Sequence, residues 1–127
     1  MRIVAFIGPS GSGKSHRAFL VAQSKGIEYI IDDGLLIKEN KIIAGVSAKK
    51  ESTRFGSVKR ALFVYNEHAE EVKKAIEFNK PEAILILGTS EKMINTITER
   101  LGLPEATEKV SIYEIAKDSE IESALLM

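Results

Sequence analysis

The chain has 127 residues, 44% of them hydrophobic and 28% charged, values that exclude a disordered tail, a collagen-like rod and a small disulfide-stapled scaffold. Eighteen Lys and Arg balance eighteen Asp and Glu, so no global field draws the molecule to nucleic acid or to an anionic membrane. The absence of cysteine removes thiol catalysis, Cys-ligated zinc and iron–sulfur clusters, and it suits a reducing, cytoplasmic setting for one domain spanning 1–127.

Residues 3–7, Ile-Val-Ala-Phe-Ile, form a β-rich apolar run stopped by Gly8-Pro9. It reads as a strand covered on both faces, and it is too short for a signal-peptide core or a membrane span. A helix is predicted over 14–25, ending at Gly26, and a second apolar strand over 28–31, ending in Asp32-Asp33-Gly34. Residues 35–38 and 41–44 predict a β-hairpin joined through Glu39-Asn40.

The stretch 45–57 is small, polar and basic without a period, and it reads as an exposed loop. Leu62, Tyr65, Ala69, Val72 and Ile76 recur at spacings of three and four, predicting one long amphipathic helix over 57–79. Pro81 closes it, and residues 83–87 make a third buried strand before Gly88. Met93, Ile94, Ile97 and Leu101 predict a further helix ended by Gly102 and Pro104. Val110, Ile112 and Tyr113 suggest a fourth strand, and Ser119-Glu120-Ile121-Glu122 has the form of a capping box opening a last short helix. Strands alternating with helices imply an α/β fold, a three-layer α/β/α sandwich around a mainly parallel sheet with a small β-hairpin insertion after the second strand.

The chemistry is concentrated in one segment. Gly8-Pro9-Ser10-Gly11-Ser12-Gly13-Lys14-Ser15 fits G-x-x-x-x-G-K-S/T at every fixed position, directly after a buried strand and at the start of a helix. Glycines permit positive φ and let the amides of residues 11–14 converge on a phosphate without a Cβ in the way. The positive end of the helix points at the same oxygens. Lys14 then carries a point charge to the β- and γ-phosphates, and Ser15 offers a hydroxyl to Mg²⁺. A glycine-rich turn without a ligand is the bland alternative.

On these residues the chain resembles the P-loop NTPase superfamily, kinase-like branch. Across 1–115 its β-loop-α-β order is similar to small-molecule kinases of the shikimate kinase and nucleotide kinase type, and it also looks like an uncharacterised bacterial ATP-binding family. The resemblance implies ATP and Mg²⁺ as cofactors, a small-molecule phosphoryl acceptor of unknown identity, and an acid at the end of the second strand that contacts Mg²⁺ or substrate. Asp32 and Asp33 occupy that place.

The chain departs from the pattern where the third strand runs into Gly88-Thr89-Ser90, without the Asp that most P-loop ATPases carry there, and no nearby acid resembles a water-activating Glu. It ends at Leu126-Met127 before the fifth strand and arginine-bearing lid of a complete kinase of this type, which suits a minimal member or the N-terminal part of a longer protein. A nucleotide-responsive binding module with little turnover is therefore the alternative function.

Among the remaining residues, Asp32 is the candidate magnesium ligand with Ser15, and Asp33 the candidate general base. Asp-Asp-Gly as a plain strand-to-turn element is the competing explanation. The 49–60 segment holds five basic residues and one acid, and Arg54 is its candidate for stabilising transferring charge or clamping a phosphorylated substrate. Solvated surface charge accounts for such a run equally well. If this loop reaches a neighbouring protomer, ATP sits at a homodimer interface. Only Phe55 lies among these cations, which argues against a nucleic-acid groove. His16, Arg17 and His68 read as surface or structural residues. Asn79-Lys80-Pro81-Glu82 fails as a guanine-specifying motif because it precedes its strand and ends in Glu, which favours ATP over GTP.

Overall fold

The structure, a computed structural model, describes residues 1–115. Six strands form one mixed sheet: β1 (Arg2–Ile7), β2 (Tyr29–Asp32), β3 (Leu35–Lys38), β4 (Lys41–Gly45), β5 (Ala83–Gly88) and β6 (Glu108–Ser111). Their order is β4-β3-β2-β5-β1-β6, with β2, β5, β1 and β6 mutually parallel and β3 and β4 antiparallel. The helices are α1 (Lys14–Ser24), α2 (Arg54–Ala61), α3 (Asn66–Asn79) and α4 (Glu91–Leu101).

The apolar runs of β1 and β5 are interior strands, and every residue of β5 is buried. Alternation along the strands divides the core between the two faces of the sheet. Ile3 and Ala5 of β1 join Ile84 and Ile86 of β5 beneath α3 and α4, which contribute Val72, Ile76, Ile94 and Ile97. Val4 and Phe6 join Leu85 and Leu87 beneath α1, which contributes Ala18, Val21 and Ala22. Because β2, β5 and β1 lie side by side and run the same way, the loops that follow them emerge at one edge of the sheet. That edge is where ligands of open α/β sheets collect.

The hairpin forms as expected. Glu39 (φ 50) and Asn40 (φ 66) both take the left-handed conformation that a two-residue turn of matching twist requires. A bulge interrupts its ladder, since Leu36 pairs with Ala44 but Ile37 with Ile42.

Three expectations are corrected. The single helix over 57–79 is two helices, because the chain turns at Phe63 (φ 58). There the Val64 amide donates to the Lys59 carbonyl and the Phe63 amide to Arg60, the paired bonds of a left-handed helix stop. A left-handed non-glycine residue costs roughly 1–2 kcal/mol. Complete burial of the Phe63 ring, stacked 4.6 Å from the His68 ring, outweighs that at roughly 1.5–3 kcal/mol.

The loop expected over 45–57 is exposed at residues 49, 50 and 52–55 but is a strap with regular structure. It contains the 3₁₀ turn Ala48–Lys50 and the start of α2, with Ala48 and Gly56 buried. The strand expected from Val110, Ile112 and Tyr113 is β6, which ends at Ser111, and residues 112–115 are helical, so Ile112 and Tyr113 lie outside the sheet. The helix expected from Ser119 lies outside the described residues. Among the described residues, no helix is long and apolar enough to cross a membrane.

Candidate functional site

The site begins with the turn after β1. Gly11 (φ 75) and Gly13 (φ 89) are left-handed, and Gly13 is the N-cap of α1, so the chain enters the helix through a conformation that a Cβ would strain. Gly8 has a different reason to be glycine: a Cβ there would stand 2.4 Å from Cγ2 of Ile112. The amides of Gly11, Gly13 and Lys14 have no hydrogen-bond acceptor among the described residues. They lie at the positive end of α1, a donor set suited to an anion. Ser12 departs from the expected arrangement. Its amide braces the turn by donating to the Pro9 carbonyl at 3.2 Å, and its hydroxyl is buried without a partner among the described residues.

The Lys14 ammonium folds over this turn and donates to the carbonyls of Gly8 (2.5 Å) and Pro9 (2.9 Å). Burial lowers its pKa from the ordinary lysine value, with Asp32 opposing that shift. Ser15, in the first turn of α1, donates its hydroxyl to Oδ2 of Asp32 at 2.6 Å. Asp32 closes β2, and burial raises its pKa above the usual carboxylate value. The Ser15 bond opposes that rise, Asp33 adds to it, and Lys49 and Lys14 pull it back. A partly buried carboxylate beside a hydroxyl is a pair of oxygens of the kind that a small hard cation takes as ligands. Among the described residues no group of three or more acidic or imidazole side chains gathers to hold a metal, so any cation there takes its remaining oxygens from ligand and water.

Asp33 is left-handed (φ 55), a conformation Asp tolerates better than most residues. Its carboxylate accepts from the Ser47 hydroxyl at 2.9 Å and its carbonyl from the Ala48 amide at 2.9 Å, tying the end of β2 to the strap after β4. Gly34 follows (φ 86) with the Val46 carbonyl 2.4 Å from where its Cβ would be, so only glycine fits. His68, 3% exposed, braces the crossing from below: Nε2 lies 2.7 Å from the Gly34 carbonyl and 3.3 Å from the Val46 amide. Burial lowers its pKa from 6.5, with the Gly34 bond opposing.

The strap brings the basic segment over the site. Thr53 caps α2 by accepting from the Gly56 amide at 3.0 Å, which places Arg54 in the first turn. Arg60 is occupied elsewhere, with two nitrogens 2.9 Å from Oε1 of Glu51 and its guanidinium over Tyr65. Lys59 lies over the Phe55 ring. Lys49 and Arg54 form no ion pair among the described residues.

Between the glycine-rich turn and α2 lies a cleft of about 570 Å³. It gathers Ser10, Gly11, Lys14, Ser15, Asp32, Asp33 and Arg54 from the residues expected in sequence. Gly8 is buried behind them, while Pro9 is exposed. Lys49 of the basic segment lines it too, and the cleft also holds residues that sequence reasoning missed: Thr89 after β5, Met93 of α4, and Ser57, Val58, Ala61 and Leu62 of α2 and its end. The last four follow Arg54 at spacings of three and four, a helical stripe already present in the sequence that was read as the start of a core-facing helix. Asn79 takes no part. It ends α3, where its side-chain amide donates to the Ala75 carbonyl.

No protein-family model, curated protein or solved structure matches this chain.

Proposed function

We propose that the chain is a P-loop NTPase of the kinase-like branch, with a three-layer α/β/α architecture, that binds ATP with Mg²⁺ and transfers the γ-phosphoryl group to a small molecule. The observation that carries this is a single juxtaposition: three amides without acceptors among the described residues at the start of α1, the Lys14 ammonium, and the Ser15–Asp32 pair, all at one end of one cleft. Amides and helix end would take the β-phosphate, and Lys14 would leave the Gly8 and Pro9 carbonyls for the β- and γ-oxygens. Ser15 and Asp32 would hold Mg²⁺, which supplies neutralisation of charge on the departing phosphate oxygens.

The transfer itself asks little covalent work of the protein. An acceptor hydroxyl oxygen bonds to the γ-phosphorus as the bridge to ADP breaks, and Asp33 takes the hydroxyl proton. Arg54 and Lys49 face the same cleft beside the transferring group. The cytoplasm is the compartment that holds these reactants.

Thr89 supports a second function, a nucleotide-responsive module with little turnover. It stands at the end of β5 where a carboxylate would order attacking water, and its amide and hydroxyl both contact the Met93 sulfur instead. Phosphorus NMR of MgATP incubated with the full chain, alone and with a pool of small hydroxylated metabolites, distinguishes the two. A new phosphoester resonance appearing with ADP supports transfer. ATP left intact in both samples contradicts transfer and favours the module.

A further inference from the structure

We propose that the α2 side of the cleft is the binding site for an amphiphilic small-molecule anion, one with an apolar body, a hydroxyl and a single carboxylate or phosphate; this rests on the nucleotide reading and names the class of its acceptor. A short helix earns its place in most folds by burying its apolar stripe in the core, but Gly56 is the one buried residue of α2. Its stripe of Val58 and Ala61, with Leu62 at the helix end, lines the cleft instead, and Val58 remains 50% exposed there. An apolar wall opposite a polar one is the usual composition of a small-molecule pocket.

Charge narrows the class further. Lys14 and Asp32 belong to the polyphosphate and its metal, which leaves Lys49 and Arg54 against Asp33 around the remaining space, a surplus of one positive charge. Both cations sit on the piece that carries the wall. The Ser57 hydroxyl donates to the Ala48 carbonyl at 2.9 Å, binding α2 to the 3₁₀ turn that bears Lys49. An arginine and a lysine that pair with no carboxylate among the described residues, set beside an apolar wall, recognise an anionic head attached to an apolar body. A wholly polar sugar would leave the wall unmatched, and a neutral lipid would leave the cations unmatched.

The test uses the full chain saturated with MgADP, so that the glycine-rich turn is occupied, and follows four probes by ligand-observed NMR titration: benzoate, phenyl phosphate, benzyl alcohol and inorganic phosphate. Benzoate and phenyl phosphate should bind at least fivefold more tightly than benzyl alcohol or inorganic phosphate. Val58→Asn, a half-exposed position where a polar side chain is tolerated, should weaken both aromatic anions at least threefold. Arg54→Ala should remove their advantage over benzyl alcohol. Four probes of equal affinity, or full affinity retained in both variants, would overturn the inference while leaving nucleotide binding intact. Failure of MgADP itself to bind the unmodified chain would overturn the nucleotide reading, and the acceptor class with it.

Discussion

Asp32 and His68 are both partly or wholly buried titratable groups near the cleft, and burial moves them in opposite directions. The folded-state pKa of Asp32 lies above its unfolded value of 3.8. Its contribution to stability is therefore present below 3.8 and lost as pH rises through the raised value, so at neutral pH the ionised side chain opposes folding. Asp32→Asn should stabilise the nucleotide-free protein at pH 7 by about 0.5–2 kcal/mol in urea denaturation, as removal of a functional-site strain commonly does, while abolishing the magnesium dependence of nucleotide affinity. Equal or lower stability would contradict the account of Asp32. His68 has the opposite sign. Its folded pKa lies below 6.5, so its contribution is complete above pH 6.5 and drains away as pH falls through the lower folded value. A pH series of denaturation curves should show stability declining below 6.5, and His68→Gln should flatten that decline even though the variant is weaker at neutral pH.

The break between α2 and α3 decides where the cleft has its wall. Had the helix run unbroken over 57–79, Leu62 would have continued the stripe of Val72 and Ile76 into the core. The turn at Phe63 separates the two stripes, sending one to the core and the other to the cleft. Phe63→Ala should cost roughly 3–5 kcal/mol, since it empties a fully buried ring site and unstacks His68. Thermal or urea denaturation would show this, and a loss under 1 kcal/mol would mean that the turn is set by something else. This break was not legible in the sequence because neither glycine nor proline marks it. A left-handed phenylalanine is selected by packing against His68 and not by local preference. The elements fixed by local chemistry were readable: the glycine-rich turn, the Asp-Asp-Gly end of β2, the apolar runs of β1 and β5, and the hairpin at Glu39-Asn40. The same limit explains the missed role of the strap over 45–57. Its ordering depends on Asp33, Ser57 and the Arg60–Glu51 pair, contacts between residues nine to fifteen apart in the chain.

At the scale of the whole molecule, the parallel alignment of β1, β5 and β2 turns three separate loops into one site. Neither the turn after β1 nor the acids at the end of β2 would make the proposed phosphate and metal site alone, and their meeting at 2.6 Å between Ser15 and Asp32 depends on the sheet. The balance of charge over the chain leaves any attraction for a polyanion to this edge. The most direct test is isothermal titration calorimetry of MgATP into the unmodified chain and into Lys14→Ala. Losing a charge-assisted contact of about 1.5–3 kcal/mol should weaken binding between about ten- and a hundredfold, with an unchanged circular dichroism spectrum. Equal MgATP affinity in the two proteins, or no binding by either, would contradict the account.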